Sequence, residues 1–309
     1  MVSPASRRAR RLAPTIGQRL RDWTPELLML PALLVMAVVM GFPLVYLAFM
    51  SLHKWSMIGF APPSFVGAAN FVALADDDRF IDSSLRTVGF TLLGLVSNIP
   101  VGFAIALLLH QHFPTRSLLR AVLILPMVAT PVAMGLVWVV MLDPSLGVVR
   151  YLLGLVGVEN PPLWLSDSFW VIPTLVTVDA WMWTPMVALI CVAGLASLPT
   201  EPFEAAFVDG ASAWQRFRHV TLPLLKPILH YVLVTATINS FNVFTQVYVM
   251  TLGSQAAPGQ AVRVLVFDIY QNGFQYLKMG YASSEAVILT LIVLGFTLIQ
   301  FRVARGQEE

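Results

Sequence analysis

The stretch Leu27–Met50, LLMLPALLVMAVVMGFPLVYLAFM, contains no charged side chain. A helix of about 20 mainly apolar residues, rising about 1.5 Å per residue, crosses the hydrocarbon core of a bilayer. The stretch therefore predicts a membrane-spanning helix. It is longer than the apolar region of a cleaved signal peptide, so we interpret it as an uncleaved first span.

Five further apolar runs follow, and none shows the short alternating segments of a transmembrane β-barrel. The chain is 57% hydrophobic and 12% charged, whereas soluble domains carry about 25% charged residues. The sequence thus predicts an all-α membrane protein, a six-helix transmembrane bundle, in which Pro173 and Pro185 indicate a kink or an interfacial start of the fourth span. The five runs are Thr87–Leu109, Ala121–Leu142, Trp170–Leu198, Ile228–Met250 and Ala282–Phe301.

The positions of Lys and Arg predict the orientation, because cytoplasmic loops carry an excess of these residues. The excess places both termini in the cytoplasm. It predicts a basic cytoplasmic tail over 1–26, a six-span domain over 27–301 and a cytoplasmic C-terminal tail over 302–309. The cations on the cytoplasmic side are Arg7, Arg8, Arg10, Arg11, Arg19, Arg21, Arg116, Arg120, Arg216, Arg218, Lys226, Arg302 and Arg305. Those on the other side are Lys54, Arg79, Arg86, Arg150, Arg263 and Lys278.

The remaining composition narrows the class of function. A net charge of +2 without a basic face outside the tail argues against a nucleic-acid partner. One cysteine, Cys191, excludes an intrachain disulfide framework and a multi-cysteine metal site. The triplet Asp76-Asp77-Asp78 lacks the alternate spacing of calcium-binding loops, which favours a solvated turn over a cation site. We expect no metal site.

The segment 199–227 is long for a loop between neighbouring helices, and its composition predicts a helix–turn–helix. Thr200 and Pro202 mark a helix start, and Gly210 marks its end. A second helix begins at Ala211, and Leu222-Pro223 closes it before the fifth span. Such an element either rests amphipathically among lipid headgroups or docks a soluble partner.

This segment closely resembles the EAA motif of permease subunits of binding-protein-dependent ABC importers. The motif is E-A-A, three residues, G, nine residues, an aliphatic residue, one residue, then L-P. The rest of the chain resembles the carbohydrate branch, the maltose and glycerol-phosphate type, through Phe42-Pro43, Ser240–Thr251 and Gly280–Ser284. The residues to which the motif assigns ATPase coupling are Glu204, Ala205, Ala206, Asp209, Gly210, Leu222 and Pro223.

The resemblance implies the type I importer permease fold, with segment 199–227 as a coupling element. It also implies four partners in the plasma membrane of a bacterium: a homologous second permease, two ATPase subunits and an extracytoplasmic solute-binding protein. The chain has no phosphate-cradling G-x-x-x-x-G-K-[ST] loop. We therefore expect no cofactor on this chain, no enzymatic activity of its own, and use of ATP and Mg by the ATPase subunits.

Polar residues inside spans are costly, so they mark a pathway or a helix contact. Asp179, which the sequence presents as the only charge deep in a span, and Asn98 fall near mid-depth. Asn239, Asn242 and Gln246 are spaced to share one face of the fifth span. Transporters bind substrate at this depth. We take these five residues as candidates for the substrate pathway, with interhelical hydrogen bonding as the alternative.

No Lys or Arg lies inside a predicted span, which favours a neutral sugar or polyol over an anionic substrate. Two other functions stay open at this point. A proton-coupled secondary transporter would use Asp179 as a proton relay. A non-transporting scaffold or receptor would need neither polar residues at mid-depth nor a docking segment. Glu285 is expected to reach water at the outer interface.

Overall fold

The computed structural model of the protein describes residues 28–58, 62–252 and 262–306. The predicted basic tail over 1–26, Leu27 and residues 307–309 lie outside these ranges. The first helix, α1, runs over Leu28–Ser51 and contains a π-helical stretch over Ala37–Gly41. It is apolar around its whole circumference, as expected of a helix that lipid or other membrane helices surround.

A body of helices follows residue 50. A two-stranded antiparallel hairpin precedes them, with β1 over His53–Lys54 and β2 over Ser64–Phe65. The helices in chain order are α2 (Ala69–Ala75), α3 (Asp78–His110), α4 (Arg116–Val128), α5 (Pro131–Met141), α6 (Val148–Leu155), α7 (Val171–Ala196), α8 (Glu201–Val208), α9 (Ala213–Arg216), α10 (Leu222–Phe241), α11 (Thr245–Leu252), α12 (Leu265–Tyr270) and α13 (Met279–Arg305).

The predicted six-span helical fold is confirmed. Helices α1, α3, α7 and α13 and the helical stretch Ala213–Thr251 are each long and apolar enough to cross a membrane. The pair α4 and α5 meets the same criteria only when taken together, and counts as the sixth span when it is treated as one bent span. Helix α3 begins at Asp78 and not at Thr87, because the Asp77 side chain caps it by accepting a hydrogen bond from Arg79 N at 2.9 Å.

The third span is not the single helix predicted over Ala121–Leu142. Helices α4 and α5 meet at an angle of 100°. Thr130 is extended, with ψ at 138°, because a residue before proline avoids helical geometry. Its hydroxyl then caps α5 by accepting from Ala133 N at 3.4 Å, and Pro131 fits the first helical turn, where no N–H is needed.

The fifth span differs from the prediction at both ends. Leu222-Pro223 does not close the preceding helix: α9 continues through a π-helical turn, Phe217–Thr221, directly into α10. The widened turn accommodates Pro223, whose ring would clash inside a regular helix. At the other end α10 stops at Phe241, and α11 restarts at Thr245. The predicted span Ile228–Met250 is therefore two helices.

Helix α7 lies at the centre of the body, packed most extensively on α3 and also on α4, α10 and α11. Gly102 allows the close approach of α3: a Cβ atom there would lie 2.6 Å from Val187 Cγ1 and 3.1 Å from the Thr184 carbonyl oxygen. Small residues in such contacts let helix backbones pack closely where lipid supplies no hydrophobic driving force.

Candidate functional site

The buried residues of α7 form three layers along the helix axis. Apolar residues between 171 and 178 belong to one cluster at the end far from segment 199–227, which we call the distal end. Apolar residues between 187 and 195 belong to a second cluster at the proximal end. Between them lies a polar layer that contains Asp179 and Thr184. The arrangement places costly polar groups at mid-depth, sealed by apolar packing towards both ends.

Three of the predicted pathway residues come together in this layer: Asn98 from α3, Asp179 from α7 and Gln246 from α11 are 3%, 4% and 6% exposed. Gln246 Nε2 donates to Asp179 Oδ1 at 3.5 Å, and Thr184 Oγ1 donates to Asn98 Oδ1 at 3.4 Å. Asn98 also faces the Asp179 carboxyl group. These bonds are long for protein hydrogen bonds, so the polar groups retain capacity for further partners.

A crevice opens beside the polar layer, between α7 and α10, and encloses about 360 Å³ of space, its open side included. The cavity volume proper is about 30 Å³, room for about two water molecules, and small-molecule sites of about 300–1,000 Å³ are far larger. We call this space the central crevice. Its polar and aromatic lining consists of Asn98, Asp179, Trp183, Thr235, Asn239 and Ser240.

Two expectations about the fifth span need correction. Asn239, Asn242 and Gln246 do not share one helical face, because α10 ends between them. Asn242 is exposed, lies outside the crevice lining, and donates from Nδ2 to the Ile238 carbonyl at 2.7 Å. Sequence reasoning also missed Ser240, one position along α10 from Asn239. Its Oγ lies 3.3 Å from the position that a Cβ atom on Gly94 would occupy. The sequence of the fifth span alone does not indicate this close approach of α3 and α10.

The lining of the central crevice suits a neutral, hydroxyl-rich molecule. Asp179 is the only ionisable side chain among the described residues that line it. A carboxylate and several side-chain amides and hydroxyls accept and donate hydrogen bonds to hydroxyl groups. The indole of Trp183 adds an apolar face. Trp181, on the same helix, packs edge-on against Trp138 at 5.6 Å between ring centroids.

The predicted helix–turn–helix of segment 199–227, which we call the coupling segment, is confirmed as α8 followed by α9. Gly210 ends α8 with φ at +74°, a conformation that glycine adopts without strain. Ser212 caps α9 through a reciprocal capping box with Gln215, so that helix begins at Ala213 and not at Ala211. The two helices also touch where the Arg216 guanidinium lies 5.6 Å from the centroid of the Phe207 ring.

The surface of the coupling segment is available to a partner. Phe207 and Trp214 are 70% and 65% exposed. Of the motif residues, Glu204, Ala205, Asp209, Gly210 and Pro223 are exposed, and Ala206 and Leu222 are half-buried. The Phe217 ring lies 6.1 Å from that of Phe103 on α3, which ties the segment to the bundle.

The prediction that Glu285 reaches water at the outer interface is wrong. Glu285 is 0% exposed, one to two turns into α13, and accepts a hydrogen bond from Asn272 Nδ2 at 2.8 Å. Asp179 is therefore not the only charge-bearing side chain buried in a span. The segment that contains Asn272 carries no span signature, so no sequence pattern indicates that it folds back over α13.

A multi-span bundle with a polar crevice at mid-depth and an exposed helical hairpin at one end defines an integral-membrane transport subunit. Residues 98–308 match the family described as the binding-protein-dependent transport system inner membrane component. The chain belongs to this family. It is therefore a transport component of a membrane and not an enzyme, which argues against the proton-coupled alternative.

Curated relatives cover nearly the whole chain. It is 31% identical over 284 residues to the trehalose/maltose transport system permease protein MalF of Thermococcus litoralis, covering 92% of this chain and 94% of the relative. It is 29% identical to the sn-glycerol-3-phosphate transport system permease protein UgpA of Agrobacterium fabrum, covering 90% and 93%. The sulfoquinovosyl glycerol permease SmoG of Agrobacterium fabrum is 30% identical, covering 91% and 90%.

The fold also has a solved counterpart. A chain of the bacterial alginate ABC transporter, crystallised in complex with alginate pentasaccharide-bound periplasmic protein, superposes with a TM-score of 0.80 at 22% identity. The match covers 95% of this chain and 98% of that one. The protein thus has the fold of an ABC importer permease.

Proposed function

We propose that this chain forms half of the translocation pathway of an ATP-driven importer for a neutral sugar or related polyol. One observation carries the proposal: the helix that ends the coupling segment is continuous with the helix that lines the central crevice. A movement imposed on the exposed segment therefore reaches the site that suits a substrate.

The proposed partners follow from the family and from the resemblance of the motif. A second, homologous permease completes the pathway and lies in the bilayer beside this chain. Two ATPase subunits dock at the coupling segment and use ATP and Mg, while this chain binds no cofactor. An extracytoplasmic solute-binding protein delivers the substrate. The coupling segment and both termini are then cytoplasmic, and the distal end faces outwards across the plasma membrane.

The continuous helix gives the proposal a mechanical basis. From Ala213 to Asn239 it measures about 39 Å at about 1.5 Å per residue. Packed helices change between discrete arrangements rather than deforming continuously. A rotation of α9 driven by ATP therefore turns the crevice-lining part of α10, including Asn239 and Ser240, relative to α7. Access to the crevice then alternates between the two sides of the membrane.

The substrate class rests on charge. The relatives include permeases named for trehalose and maltose and for sn-glycerol-3-phosphate. An anionic substrate is stabilised by a cation or a helix N-terminus along its path, whereas the central crevice presents the Asp179 carboxylate. A neutral saccharide or polyol fits this lining, because hydroxyl groups donate hydrogen bonds to a carboxylate.

The test replaces Gly210, which ends α8, by valine. At φ +74° a β-branched side chain is strained, so α8 shifts relative to α9. We expect substrate uptake into proteoliposomes with the full complex to fall about tenfold, equivalent to about 1.4 kcal/mol. Membrane insertion should be unchanged, and ATP hydrolysis should no longer respond to the loaded binding protein.

The matched control is Gly157→Val in the loop after α6. Gly157 also has a positive φ, +87°, and open space where a Cβ would stand, but it lies far along the chain from the coupling segment. This variant should transport normally. Wild-type uptake by Gly210→Val would refute coupling through this segment, and uptake that follows a proton gradient without ATP would favour a secondary transporter using Asp179.

A further inference from the structure

A second group of polar side chains, most of them buried, lies at the distal end and joins three parts of the chain. Arg79 comes from the start of α3, Asp268 from α12 and Glu285 from α13. Arg263, just before α12, and Asn272, just after it, complete the group. We call these five residues the distal charge cluster.

Asp268 is the centre of the cluster. Its Oδ1 lies 3.4 Å from Arg79 Nη2 and 3.5 Å from Arg263 Nε. The side chains of Asp268 and Arg263 are only 2% and 8% exposed, whereas Arg79 is 40% exposed and lies against the Tyr276 ring. One carboxylate therefore compensates two guanidinium groups, one of them buried. Removing a single partner from a buried pair is costly because it leaves an uncompensated charge.

The Asp268 and Glu285 carboxyl groups also lie close enough for their charges to interact. Glu285 Oε1 already accepts from Asn272 Nδ2, and Oε2 has no N–H or O–H partner among the described residues. Asp268, which faces two guanidinium groups, therefore carries the negative charge of the cluster, and the fully buried Glu285, with an amide as its partner, is the neutral acid.

The cluster holds a segment that covers the central crevice from the distal side. Val262, Val264 and Phe267, in and beside α12, pack in the distal apolar cluster on the first turns of α7 and on α11. Leu265 N donates to Thr87 Oγ1 at 2.7 Å, a further bond between this segment and α3. The polar layer of α7 begins directly below this packing, at Asp179.

We propose that the distal charge cluster is the latch of the outer gate: Asp268, bridging Arg79 and Arg263, holds segment 262–276 closed over the central crevice until transport opens it. Asp268 is a positioning residue, since it acts through the apolar residues of its segment. The proposal rests on the proposed function for its role in transport, but the attachment of the segment can be measured separately.

The first experiment measures hydrogen exchange of segment 262–276 in the assembled complex in lipid nanodiscs. Asp268→Asn should raise exchange in this segment at least tenfold and leave the proximal half of α7 unchanged. Glu285→Gln should leave exchange near the wild-type level, because the amide oxygen still accepts from Asn272 and both side chains are neutral. Asp268→Asn combined with Arg263→Gln should recover part of the protection by removing the stranded charge.

The second experiment measures ATP hydrolysis by the same complexes without the binding protein. A loosened gate opens outwards more readily, so Asp268→Asn should hydrolyse ATP about fivefold faster than the wild type, and Glu285→Gln should not. The control is Asp82→Asn, which removes an exposed pair, Asp82 Oδ2 to Arg86 Nη2 at 3.3 Å, on the same helix α3. Arg79→Gln, a milder change at a half-exposed position, serves if Asp268→Asn does not assemble.

Wild-type hydrogen exchange in both Asp268→Asn and Arg79→Gln would overturn the latch. Equal damage by Glu285→Gln and Asp268→Asn would overturn the assignment of the proton and of the charge centre. Faster exchange without faster hydrolysis would overturn the gating role. If the exchange results hold but ATP hydrolysis by the wild-type complex does not respond to the binding protein, the result would instead count against the proposed function.

Discussion

The central crevice and the distal charge cluster are both buried polar groups in one membrane bundle, but they satisfy their polarity differently. In the distal cluster, carboxyl groups meet two guanidinium groups, at 3.4 and 3.5 Å, and an amide at 2.8 Å. In the crevice, a single carboxylate is reached by Gln246 at 3.5 Å and by no cation among the lining residues that the structure describes. Polar groups in hydrocarbon must find partners, and the crevice, which opens on one side, is the region where a ligand or water can supply further ones.

The largest expected effect comes from Asp179→Asn, which tests the crevice side of this comparison. Asp179→Asn keeps the shape of the side chain but removes the charged acceptor for a substrate hydroxyl. A hydrogen bond to a charged group contributes about 1.5–3 kcal/mol, so we expect uptake into proteoliposomes to fall about tenfold to a hundredfold. The melting temperature should not fall, because no cation in the described lining loses a partner.

The distal counterpart, Asp268→Asn, should lower the melting temperature, so the two aspartates are expected to separate transport from stability. The matched control within the polar layer is Thr184→Val, which removes only the 3.4 Å bond to Asn98 and should reduce uptake by less than threefold. A clear loss of stability in Asp179→Asn would show that its carboxylate is structural, as interhelical hydrogen bonding predicts.

The next effect concerns the contact of α3 with α7 beside the central crevice. Gly102→Ala places a methyl group 2.6 Å from Val187 Cγ1, so a packed side chain and its backbone must shift. Overpacking of this kind costs about 1–3 kcal/mol. We expect a lower melting temperature together with reduced uptake, measured on purified protein and in proteoliposomes.

Gly89→Ala, on the same helix, is the control, since nothing lies within 4 Å of an added Cβ. It should be neutral or slightly stabilising, because alanine has the better helix propensity. If Gly102→Ala behaved like Gly89→Ala, the close contact of α3 and α7 beside the crevice would not hold the bundle together.

The smallest expected effect lies at the edge of the distal cluster. Asp77 caps α3 and accepts a hydrogen bond from the Tyr281 hydroxyl. Asp77→Ala should cost about 1 kcal/mol of stability, as for other helix caps. Asp76→Ala, at the exposed neighbouring position, should cost less than half of this. Equal losses of stability in the two variants would show that Asp77 does not act as a helix cap.

The same residue predicts a pH dependence. Partial burial raises the pKa of Asp77, but hydrogen bonds from Tyr281 and the Arg79 backbone and the Arg79 charge outweigh it, so the pKa lies below its usual value. A carboxylate with a lowered pKa stabilises the folded state above its unfolded pKa, and this stabilisation is lost as the pH falls through the folded pKa. The difference between wild type and Asp77→Ala should therefore shrink below about pH 4.

Much of the site followed from the sequence because depth alone brings polar residues together. Asn98, Asp179 and Gln246 lie at similar depths of three apolar runs, and the cost of polarity in hydrocarbon predicts that they meet. Gly210 was predictable for a similarly local reason, since a helix that ends in a left-handed turn favours glycine.

The rest depended on contacts between distant segments. The partners of Glu285 lie around α12, in a stretch that does not have the hydropathy of a span. The hydropathy pattern therefore predicted that Glu285 would contact water. Pro223 signals a helix end in most contexts, and only the π-helical turn before it keeps the fifth span joined to the coupling segment. Pro131 signals the break between α4 and α5 in the sequence. The angle of 100° between the two helices depends on the packing of α4 against α7.

That break has a consequence for how the protein is made. With 13 and 11 residues, α4 and α5 measure about 20 and 17 Å, whereas the hydrocarbon core is about 30 Å thick. Neither half crosses the bilayer alone, and at 100° they do not act as one straight rod. Helix α4 leaves the ribosome before α7, its packing partner. Its final placement in the membrane therefore waits for the synthesis of the fourth span.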